Sequence, residues 1–224
     1  MLFFTCASGV YKELIPLYKF CVKRAYPDAK VKVLETDTAG RDRFLIDPID
    51  EYVHATDIDV LILPHKISHR EYYGSHMVSG ASYLRGCTVG NDREWRDENS
   101  RICGGHISFT SEYYEITKEA REFYSNPENC DNYREFDEVM LYRILVSNKF
   151  PIPKEAYTFP DGEPWDKEYR DIHLNDFWGI KYKKWAPEKK KVKDLITAKG
   201  FSDCCKGLSP RWSNLINLMI RYAC

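Results

Sequence analysis

The chain has 224 residues, 43% hydrophobic and 14% aromatic, and its 33 basic and 34 acidic residues leave a formal net charge of -1. That apolar content supplies the core of one compact domain and excludes an intrinsically disordered chain. The near-neutral balance weighs against a nucleic-acid partner, which calls for a basic excess or a concentrated patch, and leaves sugars and small anions open as ligands.

The first element is "LFFTCASG", an apolar run that stops at small residues, as a buried strand does on reaching a turn. In "YKELIPLYKFCVKRAYPD" the apolar positions Leu14, Tyr18, Cys21, Val22 and Ala25 follow helical spacing, with Pro16 near the start and Pro27 closing it. "KVKVLE" alternates as a strand does, and "YVHATDIDVLIL" reads as a second, continuous strand. Residues 65–101 lose periodicity and become loop chemistry with one short strand near "ASYLRG". Long irregular stretches of this kind are often functional. "RICGGHISFT" regains strand character and leads into a helix over 111–124, with Tyr113, Ile116, Ala120 and Phe123 on its inner face. "REFDEVMLYRILVS" is a further helix with Phe136, Val139, Met140 and Ile144 inward, and the proline-rich "PIPKEAYTFPDGEP" is loop and turn. "KKWAPEKKKVKD" reads as a solvated basic surface. "SPRWSNLINLMIRY" closes the sequence as a helix capped by Ser209, with Pro210 in its first turn.

The eight cysteines, at 6, 21, 87, 103, 130, 204, 205 and 224, show no repeated short spacing, which points to reduced thiols. Cys103 and His106 make a C-x-x-H that lacks two further ligands for a structural zinc. The apolar "MLFFTCASG" has no basic leader, and no run reaches the roughly eighteen apolar residues of a membrane span. A cytoplasmic location is the expectation.

Asp57 and Asp59 pose the chemical question. On a strand, alternate side chains share a face, so two like charges would point the same way. Such a pair is either solvated at a strand end or compensated by a divalent cation, and oxygen ligands suit magnesium or manganese.

What surrounds the pair gives it a family resemblance. A D-x-D one α/β unit after an amino-terminal strand ending in small residues resembles the metal-binding signature of GT-A-fold glycosyltransferases. "RFLIDPIDEYVHATDIDVLIL" is similar to the corresponding stretch of the glycogenin-like and lipopolysaccharide-galactosyltransferase group, with Arg43, or Arg41, as the arginine that opens a helix before the aspartate strand. "RICGGHISF" looks like the strand that carries that group's Asn-Ala-Gly segment against the donor sugar. Cys103-Gly104-Gly105-His106 keeps its small residues without the asparagine. "REFDEVML" falls where the group places an acidic residue near the acceptor. "HLNDFWGIKYKKW" resembles its histidine, glycine and lysine-tryptophan ending, with Phe177-Trp178 inserted before the glycine.

The resemblance implies an α/β fold of GT-A type, Rossmann-like, with a central mixed, mainly parallel sheet flanked by helices. It implies a catalytic domain over 1–185, with 186–224 as a basic segment and terminal helix packing on it or pressing on an anionic membrane or a neighbouring domain. The activity implied is transfer of a hexose from a nucleotide-sugar, a UDP-sugar, to a glycan or other hydroxyl acceptor, with Mn2+ or Mg2+ and retention at the anomeric carbon. Asp57, Asp59 and His173 would hold the metal. Thr5, Ala7 and Tyr11 fall where the uracil and ribose rest. Arg43, Gly104 and Gly105 would line the donor, and Lys181, Lys183 or Lys184 would meet its diphosphate. Gly179 would be the close-packed glycine, and Asp137 or Glu138 a base near the acceptor if the reaction inverts. Residues 65–101 would form an acceptor lid. Two rivals remain: a haloacid dehalogenase-like phosphatase, whose aspartates want a Gly-Thr-like continuation where Val60-Leu61 stands, and a non-catalytic carbohydrate-binding or interaction module.

Overall fold

The computed structural model describes residues 1–37, 42, 52–66, 68, 78–82, 102–129, 144, 171–178 and 187–224. In chain order the strands are β1 (Leu2–Ala7), β2 (Lys30–Glu35), β3 (Tyr52–Thr56), β4 (Val60–Leu61), β5 (Val78–Ser82), β6 (Ile102–Thr110) and β7 (Ile172–His173). The α-helices are α1 (Ile15–Ala25), α2 (Ser111–Ile116), α3 (Lys118–Ser125), α4 (Lys189–Ile196), α5 (Phe201–Cys204) and α6 (Pro210–Ala223). They divide into two packing units.

The first unit is built on a mixed five-stranded sheet of order β2-β1-β3-β6-β5. β1 and β3 run parallel, while β6 is antiparallel to both β3 and β5, so the expected mixed sheet flanked by helices is present. β1 is buried at all its positions and β3 likewise, because a strand covered on both faces must be apolar on both. Its polar members are satisfied internally. Thr5 Oγ1 donates to the Thr56 carbonyl at 2.8 Å, and His54 Nδ1 lies 2.7 Å from Ser108 Oγ while its ring meets Phe3 edge-on. The short strand expected near "ASYLRG" lies slightly earlier and overlaps it at Ala81 and Ser82.

The helix expected over 111–124 is two helices, broken at Thr117, whose buried hydroxyl donates back to the Tyr113 carbonyl. Such back-bonding bends helices, and it rotates the inner face. Tyr113 and Ala120 are buried as expected, but Ile116 and Phe123 are exposed, and Tyr114 and Arg121 take their places inside. Arg121 is buried because its donors are matched: Nε reaches Thr117 Oγ1 at 3.2 Å, Nη2 reaches the Tyr114 carbonyl at 3.0 Å, and the guanidinium covers the Tyr114 ring. Of the helix expected over 134–147, Ile144 is helical and fully buried; Phe136, Val139 and Met140 lie outside the described residues.

The second unit gathers α1, the β4–β7 ribbon and the carboxy-terminal helices. Before α1, residues Gly9–Leu14 wind as a 3-10 turn, entered through Gly9 at φ +48, a left-handed conformation that glycine adopts without steric cost. α1 buries Leu17, Tyr18, Cys21 and Val22, carries Pro16 in its first turn and ends before Pro27. Lys23 Nζ closes its end by donating to the Pro27 and Ala29 carbonyls at 3.1 and 2.8 Å, where cationic groups also complement the helix dipole. The basic run is more than a solvated surface: Lys189–Ile196 is a helix that buries Val192 and Leu195 and turns its lysines outward. α6 buries Trp212, Leu215, Ile216, Met219 and Ala223, a stripe of helical period.

Ser209 stands at the N-cap position of α6 but its hydroxyl makes no capping bond; its backbone N–H instead donates to Glu13 Oε2 at 2.7 Å. Among the described residues, Cys6, Cys21, Cys204, Cys205 and Cys224 are not joined in disulfides. Burial pushes the Cys21 thiol well up, against the pull of Arg24, and pushes Cys205 up to about 11, which leaves little reactive thiolate at neutral pH. Among the described residues no helix is long and apolar enough to cross a membrane.

Candidate metal centre

The continuous strand expected over 52–63 does not form. β3 stops at Thr56, Ile58 and Asp59 make a turn, and a separate two-residue β4 begins at Val60. Asp57 and Asp59 therefore do not share the face of a strand; what brings their carboxylates together is the turn. Within the second unit the far side of that turn is held by β7. Val60 pairs with His173, Leu61 with Ile172, and the Leu174 N–H donates to the Asp59 carbonyl at 3.0 Å.

Pairing β4 with β7 brings His173 up to Asp59, with His173 Nε2 3.4 Å from Asp59 Oδ1. Asp59 is only 3% exposed. Asn175 Nδ2 donates to its other oxygen, Oδ2, at 2.7 Å. Asp176 Oδ1 stands 3.9 Å from His173 Nδ1, on the far side of the ring. This is beyond hydrogen-bond reach but close enough for attraction to an Nδ1–H. One ligand atom each from Asp57, Asp59 and His173 fits within 4.8 Å of one another.

Two ionised carboxylates no farther apart than that repel by at least about 3 kcal/mol at an effective dielectric of about 20. A cation is the direct compensation. Ligands of one ion at about 2.2 Å can stand no more than about 4.4 Å apart, so the widest pair needs to close by at most a few tenths of an ångström. Two carboxylate oxygens and one imidazole nitrogen suit a divalent ion that accepts both, as Mn2+ does, with remaining positions left to water or a ligand's oxygens.

The other expected site residues are placed unevenly. Thr5 and Ala7 are fully buried in β1, with the Thr5 hydroxyl spent on Thr56. Tyr11 is half-buried in the 3-10 turn, where its hydroxyl accepts from Arg211 Nη2 at 3.0 Å and the Arg211 guanidinium lies over its ring. Gly104 and Gly105 are in β6, just before His106, which pairs with Thr56, the last residue before Asp57. Arg41, Arg43, Asp137, Glu138, Gly179, Lys181, Lys183 and Lys184 lie outside the described residues.

Three residues near this site carry no role in the sequence reading. Asn175 and Asp176 were visible only as turn-forming letters in "HLND". Asp171 is the third: both side chains of its pair with His65 are buried, and Asp171 Oδ1 accepts from His65 Nε2 at 2.9 Å and from the Leu63 N–H at 2.6 Å. It thereby holds the chain just after β4 beside the start of β7.

No protein-family model and no curated protein matches the chain. Among solved structures it is similar to the galactosyltransferase LgtC, crystallised in complex with donor and acceptor sugar analogs, at a TM-score of 0.44 and 11% identity over 96% of this chain and 100% of that one. It is also similar to the glycosyltransferase GlyE of Streptococcus pneumoniae TIGR4, at a TM-score of 0.44 and 11% identity over 98% of this chain and 63% of that one.

Proposed function

We propose that this chain is a GT-A-type glycosyltransferase of the cytoplasm. In this reading it moves a hexose from a UDP-sugar to a hydroxyl of a glycan acceptor, with Mn2+ or Mg2+ and retention of anomeric configuration. Residues 1–185 form its catalytic domain and 186–224 pack on it. The observation that supports this is the convergence of Asp57, Asp59 and His173 on one position, in the order in which the sequence carries its D-x-D and histidine motifs.

Breaking the bond between the anomeric carbon and the diphosphate builds negative charge on the leaving oxygen, and the enzyme must meet it. Asp57, Asp59 and His173 would hold a cation there, which would supply Lewis-acid stabilisation to that oxygen. Lys181, Lys183 or Lys184 adds a second positive charge at the diphosphate. Gly104 and Gly105 leave the backbone of β6 open to close approach by the donor. In retention the donor's own phosphate accepts the acceptor's proton, so neither Asp137 nor Glu138 is required as the base.

The acceptor side is suggested by Trp178, the residue after the Leu174–Phe177 turn. Its side chain is 62% exposed and edges a shallow hollow of about 270 Å³ shared with Asn214, Asn217, Leu218 and Arg221. A flat aromatic face beside amides and a guanidinium matches a sugar ring, which has apolar C–H faces and a hydroxyl rim. Trp178→Ala is expected to raise the acceptor KM by about tenfold, the scale of one lost aromatic contact, and to leave the donor KM unchanged. Steady-state kinetics with each substrate varied separately reads both.

Binding tests the reading before turnover does. UDP with Mn2+ at about a hundred times its dissociation constant adds about 2.7 kcal/mol of stability, which for a chain of this size is a rise of roughly 5–10 °C in the unfolding midpoint. Thermal unfolding with UDP and Mn2+, with UDP and chelator, and with ADP and Mn2+ is expected to show that rise in the first only. No rise with UDP and Mn2+ rules the UDP-sugar assignment out.

A further inference from the structure

We propose that Asn175 is a positioning residue for the metal centre: its amide fixes Asp59 so that a single oxygen, Oδ1, faces the cation. The proposal rests on the metal reading above and adds what holds its least exposed ligand in register. Asp59 has two oxygens and almost no contact with solvent. Oδ1 lies 3.4 Å from His173 Nε2, and Oδ2 accepts from Asn175 Nδ2 at 2.7 Å. His173 and Asn175 stand two residues apart and straddle one carboxylate, each addressing a different oxygen. The Leu174 N–H between them donates to the Asp59 carbonyl, so backbone and side chain of Asp59 are gripped by the same three residues.

The residue type fits the task. An ionised carboxylate only accepts, so the amide must present its nitrogen, and no alternative orientation competes. A lysine or arginine in this place would cancel the charge that attracts the cation. A neutral amide satisfies the buried oxygen and leaves the full negative charge on the ligand. Without it, Oδ2 would be a buried acceptor without its amide donor, and Asp59 could turn to offer both oxygens or neither. Partners of this kind around metal ligands are worth about 10–100-fold in metal affinity.

The test is Mn2+ titration of the full chain followed by the electron paramagnetic resonance signal of the free ion, with far-ultraviolet circular dichroism on every variant. Asn175→Leu keeps the volume and removes the donor; Asn175→Ala removes both; Asn175→Gln keeps a donor on a stem one methylene longer. The expected result is a loss of 10–100-fold in Mn2+ affinity for the first two, with affinity in Asn175→Gln restored to within about fivefold of native. Native-like binding by Asn175→Leu, or binding by Asn175→Gln as weak as by Asn175→Leu, overturns the positioning role while the metal reading stands. Absence of Mn2+ binding by the native chain overturns the metal reading, and the proposal with it.

Discussion

Asp59→Asn is expected to lower metal-dependent release of nucleoside diphosphate by at least about a thousandfold while the protein stays folded. The size follows from what the substitution reverses. Asn has the shape of Asp, and its carbonyl oxygen can still accept from Asn175 in place of Oδ2. That arrangement turns the amide NH2 toward His173 Nε2, where Oδ1 stood. A donor then faces a position that must supply an acceptor to a cation, and one of the two negative charges is gone. Removing a single preorganised electrostatic contact of the transition state costs about 10²–10³; removing a metal's ligand also removes the Lewis acid. Because the variant keeps volume and one hydrogen bond, its unfolding midpoint is expected to stay close to native. Chelator-sensitive release within tenfold of native would show that Asp59 is no ligand.

The largest stability effect belongs to Trp212. Its side chain is fully buried at the start of α6, and its Nε1–H donates to the Val10 carbonyl at 2.9 Å. Its ring meets Tyr11 edge-on at 4.9 Å, and the Arg211 guanidinium lies 4.7 Å over it. These contacts tie α6 to the 3-10 turn that carries Tyr11. Trp→Ala in a packed core costs about 3–5 kcal/mol, which for a chain of this length lowers the midpoint by roughly 10 °C. Most of that is lost packing, since a single hydrogen bond contributes only about 1 kcal/mol net. Arg211→Ala removes only the outer contacts and is expected to cost about 1 kcal/mol. Denaturant unfolding of the two variants against native checks both; equal losses would mean that the tie is made by the guanidinium and not by the indole.

Where composition and periodicity carried physical meaning, the sequence was legible. The run Leu2–Ala7 reads as a buried strand and is one, and the helix expected over "SPRWSNLINLMIRY" forms and buries Trp212, Leu215, Ile216 and Met219 on one side. The break at Ile58-Asp59 is concealed because buried, strand-like residues flank it on both sides, Tyr52–Thr56 before it and Val60–Leu61 after it. Ile58 is buried inside the turn itself, so its side chain looks no different from that of a strand residue. The phase slip at Thr117 was hidden for a related reason: one hydroxyl bonding back to Tyr113 decides it, and hydropathy does not register that bond.

The site was legible in part for another reason. Asp57, Asp59 and His173 were recognisable by type and order, and they come together. Asn175 was not, because its role exists only through a partner 116 residues away, across the pairing of β4 with β7. A neutral amide in a turn carries no chemical signal until the fold gives it a carboxylate to hold.

Service of the three-residue cluster in glycosyl transfer is read by nucleoside diphosphate release by the native chain from a panel of sugar nucleotides, each with Mn2+, with Mg2+ and with chelator. Release from a UDP-hexose is expected to require the metal and to stop with chelator. Full release in chelator, or no release from any sugar nucleotide under conditions where the folded chain binds Mn2+, would mean that the cluster serves some other chemistry.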